Sequence, residues 1–297
     1  MHTRTDRGAV FEENRRKLWR IAYRMLGSQD EAEDMVQEAY LRWHRTPAES
    51  VRSPQAWLVT TVTRLSIDRL RQLRAERALY TGPWLPEPLV GEAAPAADRP
   101  AELASELSVA LLAVLERLAP EERAAFLLHE VFDAGYDDIS VILGKSEAAC
   151  RQIVSRAAKR VRAERPRVAV NPTAARHLLK TFADAVRAQD KDTLLGIFAE
   201  EATWTSDGGG KAKAALKVIH GAERIARFAT GVFRNAVGRL EFRVVSVNGE
   251  PGLAALVDGQ LVSIVSIRTD GQRILDVYAI LNPEKLRRAQ VSPVQIA

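Results

Sequence analysis

The chain has 297 residues, enough for two or three compact domains each with its own core, and its formal net charge of +5 is modest. A nucleic-acid role must therefore rest on how the cations are arranged rather than on how many there are. The single cysteine, Cys150, excludes an internal disulfide framework and a multi-cysteine zinc site, and no run approaches the roughly 18 apolar residues of a membrane span. The polar start, Met1 to Gly8, lacks the apolar core of a signal peptide, so the expectation is a soluble, cytoplasmic chain with no membrane partner.

From Phe11 to about Arg77 the pattern is helical. Ala32, Met35, Val36, Ala39, Tyr40 and Trp43 recur at helix spacing and are predicted to face a core, while Asp34, Gln37, Glu38 and Leu41 share another face. Ser53-Pro54 is a helix start, a capping hydroxyl before a first-turn proline, and the helix it opens is predicted to run to about Arg74. Gly82, Pro83, Pro86, Pro88, Pro95 and Pro100 then predict an irregular linker and a first domain boundary.

Helices return from Ala101 to about Glu164. Leu107, Leu111, Val114 and Leu118 make one apolar face, and Pro120 restarts the chain as a helix through Phe132. Tyr136–Leu143 is a short third helix ended by Gly144, and Ser146 caps a fourth. A second joint falls around Pro166 to Pro172. Beyond it, helical patterns over 173–188 and 221–235 precede four apolar runs separated by Asn248-Gly249, Asp258-Gly259 and Asp270-Gly271. Such dipeptides between β-prone runs predict hairpins, because both turn residues take positive φ, so an antiparallel meander and an α+β domain follow.

The segment 138–162 has the proportions of a helix-turn-helix. Ser146 and Glu147 suit the start of the second helix, one as cap and one against its dipole. Ile153, Val154, Ala157 and Val161 are spaced to face inward, which leaves Arg151, Gln152, Ser155, Arg156, Lys159 and Arg160 on the surface. Arginine can donate two hydrogen bonds to guanine, glutamine can pair with adenine, and lysine neutralises phosphate. Charge alone would equally fit a solvated basic helix end; the turn favours a DNA-reading helix. Cys150 reads as a small packing residue.

Two blocks carry a family resemblance. The run Asp30 to Arg42 resembles the polymerase-binding helix of the extracytoplasmic-function (ECF) sigma factors, and Pro54 to Leu58 with Ile67 to Arg71 resembles their promoter-opening helix. The resemblance implies that Asp34, Gln37, Glu38 and Leu41 dock on the β′ clamp helices of core RNA polymerase, with the β flap and promoter DNA as further partners. It implies a minus-ten element captured by Arg52, Ser53, Arg64, Asp68, Arg71 and Arg74. The minus-thirty-five element would fall to Ser146, Glu147, Arg151, Gln152, Ser155, Arg156 and Lys159. Against this, Asp68 and Arg64 also read as a simple ion pair on a helix surface.

A narrower resemblance rests on Trp84, Leu85, Pro86, Glu87 and Pro88, on Asp207, Gly208, Gly209, Gly210 and Lys211, and on Asn282 and Pro283 with the Glu284-Lys285-Leu286 that follows. These look like the signature of sigma factors with a SnoaL-like C-terminal extension that modulates the promoter-binding domains from within the chain. Trp84 and Leu85 are expected to bury against the extension near Asp207–Lys211, the alternative being that Trp84 packs on the nearest sigma domain. The implied architecture is multidomain: two all-α sigma domains over 9–80 (a region 2 bundle) and 105–165 (the region 4 helix-turn-helix), a linker over 81–104, and an α+β SnoaL-like cone with a curved antiparallel sheet over 171–287. No cofactor, metal or catalytic residue is expected. The glycine run lacks the spacing of a phosphate loop.

A cone of this kind encloses a pocket, for which Trp204, Asp207, His220, Phe228 and Tyr278 are candidates, and a small-molecule ligand is a further candidate partner. One histidine and one aspartate do not define a catalytic site. The competing functions are a one-component ligand-sensing transcription regulator and a SnoaL-type enzyme fused to a DNA-binding module.

Overall fold

The computed structural model describes residues 7–91, 108–164, 171–234, 240–289 and 291. The expectations for Pro95, Pro100, Leu107 and the joint at 166–170 fall outside the described residues. The chain divides into two compact units: Met1–Ala78 with Val114–Arg165, and Leu79–Ala113 with Pro166–Ala297. The linker after the first helical bundle thus belongs to the C-terminal unit.

In the first unit, α1 (Arg7–Leu26), α2 (Gln29–Arg45) and α3 (Pro54–Ala78) pack as a bundle. Gly27 ends α1 at φ 69°, and the Ser28 hydroxyl accepts the Glu31 amide to open α2. Ala32, Val36, Ala39 and Trp43 of α2 are buried, as are Leu18 and Ile21 of α1 and Leu58, Val62 and Leu70 of α3. Met35 is half-buried, and Tyr40, expected inside, is 37% exposed. Its ring meets Phe11 edge-on at a 4.9 Å centroid distance, so the phenol covers the rim of the bundle rather than filling its centre. Helix α3 starts at Pro54 as expected and runs a turn past the predicted end.

After α4 (Val109–Leu115), the helices α5 (Pro120–Glu130), α6 (Tyr136–Leu143) and α7 (Glu147–Glu164) follow. Gly144 takes the left-handed conformation (φ 63°, ψ 36°) that lets α6 stop and the chain turn into α7. Cys150, Ile153 and Val154 of α7 bury against Ala125, Leu128, Ile139 and Ile142, and Val59 of α3 joins this cluster. Burial pushes the Cys150 thiol pKa up, as befits a packing residue.

In the second unit, the sheet order is β1-β4-β5-β6-β7-β2-β3. Here β2 is Phe198–Asp207, β3 Ile219–His220, β4 Leu240–Val247, β5 Glu250–Val257, β6 Gln260–Thr269 and β7 Ile274–Ile280. The four strands β4 to β7 form the expected antiparallel meander, and β7 pairs with β2 in parallel. Asn248-Gly249 and Asp258-Gly259 take positive φ at both residues, whereas in Asp270-Gly271 only the glycine does. There the Asp270 carboxylate accepts the amides of Gln272 and Arg273, which holds its pKa below the usual carboxylate range and shapes a wider loop.

Helices α8 (Pro172–Ala188), α9 (Lys191–Ile197) and α10 (Ala222–Arg234) cover one sheet face around Phe182, Phe198, Trp204 and Phe242. The remaining strand, β1 (Val90–Gly91), comes from the linker and pairs antiparallel with β4, so the proline-rich segment is not wholly irregular.

Candidate nucleic-acid interface and linker clamp

The basic helix α7 stands as the spacing required. Ala149 donates its amide to the Ser146 hydroxyl at 3.3 Å, opening the helix with Glu147 in its first turn. Arg151, Gln152, Ser155, Arg156, Lys159 and Arg160 are exposed, while Ile153, Val154, Ala157 and Val161 are buried. Arg151 is paired with Glu147 at 2.8 Å and lies over the Tyr136 ring at 5.0 Å, which pre-orients its guanidinium at the outer face. Arg160 instead turns back to Glu122 at 3.0 Å.

On α2, Asp34, Gln37 and Leu41 are exposed, Leu41 by 41%, and Glu38 is half-buried and accepts from Arg42 Nε at 2.8 Å. This stripe mixes an acid, amide and aliphatic surface, a combination suited to a helical partner bearing arginine.

The residues expected to serve the minus-ten element divide. Arg52 and Ser53 are exposed ahead of α3, with Ser53 Oγ accepting the Ala56 amide at 3.4 Å. Arg64, in contrast, donates to the carbonyls of Ile142 (2.9 Å) and Val141 (2.6 Å) at the end of α6. Arg71 bridges Asp68 and Glu121, each at 2.8 Å, and Arg74 donates to the Leu118 carbonyl. Asp68 therefore pairs with Arg71, not with Arg64. Beneath them, Glu116 receives both Arg77 and the fully buried Arg123, whose Nε reaches the Arg24 carbonyl at 3.0 Å. In this unit three cations of the α3 set are directed at the segment leading into and through α6.

The third set converges on one buried carboxylate. Asp207, at the end of β2, is 0% exposed. It accepts from the Tyr80 hydroxyl (2.6 Å), the Leu85 amide (2.8 Å) and Lys285 Nζ (2.6 Å). A buried carboxylate is tolerated only with such full pairing. Lys285 also donates to the Leu85 carbonyl and lies 4.1 Å from the Trp84 ring centroid. Burial, and then the bond to Asp207, raise the Tyr80 pKa well above its ordinary value, so the hydroxyl stays a donor.

The glycines explain the close approach. A Cβ at Gly209 would sit 2.4 Å from Asn282 Nδ2 and 2.7 Å from the Tyr80 hydroxyl, and one at Gly208 would meet the Ala212 carbonyl at 2.4 Å. Gly210 faces Thr81. Lys211 pairs with Glu284, in the short helix α11 (Pro283–Leu286) that Asn282 caps. The amides of Leu281 and Asn282 both donate to the Asp207 carbonyl, at 2.7 and 2.9 Å.

Along the linker, Leu85 is 2% exposed, Pro86, Glu87 and Pro88 are buried, and Trp84 is half-buried. Leu89 and Asn248 exchange two hydrogen bonds at 2.9 and 2.8 Å before β1 joins the sheet. Sequence reasoning named Asn248 only as a turn residue and Lys285 only within a quoted motif, and it missed Tyr80, because a lone tyrosine after a helix carries no signal of its own.

Of the pocket candidates, Trp204 and Phe228 line a cavity in this unit, with Ser206, Phe233, Ser263 and Leu281. Asp207 instead holds the linker, His220 is exposed, and Tyr278 packs beside the Leu85 cluster on the other sheet face, because adjacent strand residues point oppositely. Among the described residues no cluster of His, Cys, Asp or Glu is arranged to hold a metal, and no helix is long and apolar enough to cross a membrane.

Comparison with known proteins follows the same three-part division. Residues 10–76 match the Sigma-70 region 2 model, 108–161 the Sigma-70 region 4 model, and 179–281 the SnoaL-like domain model. The chain is 37% identical over 298 residues to the ECF RNA polymerase sigma factor SigJ of Mycobacterium tuberculosis, covering 94% of this chain and 95% of that one. A second protein of that organism, named "Probable ECF RNA polymerase sigma factor SigI", is 29% identical and 94% of each chain is covered. The crystal structure of the M. tuberculosis SigJ superposes with a TM-score of 0.74 at 33% identity, over 96% of this chain and 99% of that one. With its helical bundle, its helix-turn-helix and its SnoaL-like domain, the chain belongs to the ECF sigma factors of the sigma-70 family.

Proposed function

We propose that the chain binds core RNA polymerase, directs promoter-specific transcription initiation, and is regulated in cis by its C-terminal domain through the linker. The reading is non-enzymatic: the C-terminal domain acts by holding chain, not by turning over a substrate. The observation that carries it is the burial of linker residues 85–88 in the C-terminal unit, since that linker joins the two helical domains that contact promoter DNA.

Asp34, Gln37, Glu38 and Leu41 dock on the β′ clamp helices, and the helix-turn-helix domain meets the β flap. The exposed face of α7, with Ser146 and Glu147 at its start, reads the minus-thirty-five element. Arg52, Ser53, Arg64, Asp68, Arg71 and Arg74 serve the minus-ten element. Arg64, Arg71 and Arg74 are bonded to the α5–α6 region in this arrangement, so reading the minus-ten element requires those bonds to exchange for phosphate contacts. A holder tethered in the same chain acts at an effective concentration of about millimolar, so modest contacts suffice.

The test is multi-round transcription with core polymerase on a candidate promoter, comparing the full chain, a chain ending near Pro166, and the full chain carrying Asp207→Asn. Promoter-specific transcripts that require core polymerase support the reading, and a difference between the full chain and Asp207→Asn gives the sign of the regulation. The truncated chain also lacks the strand that β1 pairs with, which is why the point variant accompanies it. Tight duplex binding without polymerase, and no core-dependent transcript from any form, would support a one-component regulator instead.

A further inference from the structure

On the exposed face of α7, Arg151 meets a ring that belongs to another helix. Its guanidinium lies 5.0 Å from the ring centroid of Tyr136, the half-buried first residue of α6. That ring is itself fixed. Its hydroxyl is 3.1 Å from His129 Nε2, and the two rings stack at 4.4 Å with 30° between their planes. His129 Nδ1 lies 3.2 Å from the Ala134 carbonyl, so the same imidazole ties the turn between α5 and α6. With the Nδ1 hydrogen on that carbonyl, Nε2 is left to accept the Tyr136 hydroxyl hydrogen. Asp133, at φ 53°, and Ala134, whose amide donates to the Leu128 carbonyl at 2.9 Å, complete the turn. The ring therefore stands on main-chain geometry and not on a free rotamer.

The second partner of Arg151, Glu147 at 2.8 Å, is of a different kind. A carboxylate occupies the N–H edge of the guanidinium, which is the edge that a base or phosphate needs. An aromatic ring takes the flat face and leaves the five N–H donors in the plane free. The Glu147 bond must therefore exchange when Arg151 donates to DNA, whereas the ring contact persists. The pair is suited to exchange: its side chains are 56% and 48% exposed, and such pairs one helical turn apart are weak.

We propose that Tyr136, held by His129, is a positioning residue for promoter reading, keeping the Arg151 guanidinium aimed at the DNA while Glu147 releases it. An unsupported arginine samples many rotamers, and ordering it on binding costs entropy. The inference rests on the reading of α7 as the minus-thirty-five helix and adds to it a residue that acts through Arg151.

The experiment uses the full chain with core polymerase, on a candidate promoter and on each single-base change across its minus-thirty-five element. Tyr136→Leu is expected to weaken promoter binding about fivefold, on the same templates that register Arg151→Ala. Because Arg151→Ala already removes the supported group, Tyr136→Leu should add nothing to it in the double variant. A merely structural role for the ring would instead give losses that multiply. Tyr136→Phe keeps the ring and should retain wild-type binding. Multiplying losses, full binding by Tyr136→Leu, an equal loss with Tyr136→Phe, or an Arg151→Ala without effect overturns the positioning role. Proton NMR of the wild-type chain gives a reading that needs no variant to fold: the Arg151 side-chain signals should be moved upfield by the ring, and unshifted signals overturn the contact. A wild-type chain that gives no core-dependent transcript fails the reading of α7 and the positioning role together. An active wild type with uncoupled variants fails the positioning role alone.

Discussion

The hydroxyl of Tyr80 donates to Asp207 Oδ1 across 2.6 Å, although 127 positions separate the two residues in sequence. Around that bond the Leu85 amide and the Lys285 ammonium complete the shell of a carboxylate shut away from water. The linker is thereby attached to the C-terminal domain by charge and hydrogen bonding at one end and by strand pairing at the other.

Asp207→Asn keeps the shape but removes the charge that Lys285 answers. Breaking a buried pair from one side typically costs about 3–5 kcal/mol. The full chain should melt earlier and become cleavable within 79–91 under limited proteolysis, and the coupling to Lys285→Met in a double-mutant cycle should be positive. Independent effects of the two substitutions would show that the pair is not the grip.

Leu85→Ala is expected to destabilise the C-terminal unit by about 2–5 kcal/mol, since the side chain is buried beside Val109, Val245 and Ile280. Trp84→Ala removes mainly a half-exposed ring from the Lys285 ammonium, for which about 0.5–2 kcal/mol is usual. Urea unfolding of the full chain should order them Leu85 above Trp84; the reverse order would place the anchor at the ring.

Tyr80 contributes a pH signature. Its pKa is raised above the ordinary value of 10.0, so folding favours the protonated phenol. That stability is fully present below pH 10 and falls as the pH rises beyond it, because the unfolded chain releases the proton first. Tyr80→Phe should flatten this alkaline decline in a melting series above pH 10. Equal slopes for the two proteins would exclude the hydroxyl as a contributor.

Glu121 holds both Arg71 and Lys145 and lies outside the surfaces assigned to DNA and polymerase. Glu121→Gln should loosen α3 from the helix-turn-helix domain by no more than about 1 kcal/mol, as exposed pairs do. Fluorescence transfer between labels on α2 and α7 should report a lower closed population, and DNA binding should rise accordingly. Unchanged transfer would mean that Val59 and Arg64 hold the pair of domains without it.

Arg151→Ala should leave folding within about 0.5 kcal/mol, the side chain being exposed, yet cost about 1–3 kcal/mol at one position of the minus-thirty-five element. A uniform loss over unrelated sequences would mark a phosphate contact.

Local periodicity and turn chemistry were sufficient for most elements. The buried and exposed faces of α7 follow from its 3.6-residue repeat, the start of α3 from Ser53-Pro54, and the meander from its turn dipeptides. At Asp270-Gly271 the dipeptide named a turn but not its form, which the carboxylate set by accepting two amides. Tyr40 shows the limit of the repeat, because a ring long enough to lie across Phe11 can sit at a core position and still face outward.

The amino-acid sequence by itself determined the three blocks, the hairpins and the basic face of α7, since each depends on neighbours a few residues apart. Only the tertiary structure decided that Val90–Gly91 of the linker join the C-terminal sheet, that Arg64, Arg71 and Arg74 turn toward the α5–α6 region, and that Asp207 gathers Tyr80, Leu85 and Lys285. Those arrangements bring together groups tens to hundreds of positions apart. Which partner a charge or a strand edge finds at such range depends on how whole elements pack, and no local pattern encodes it.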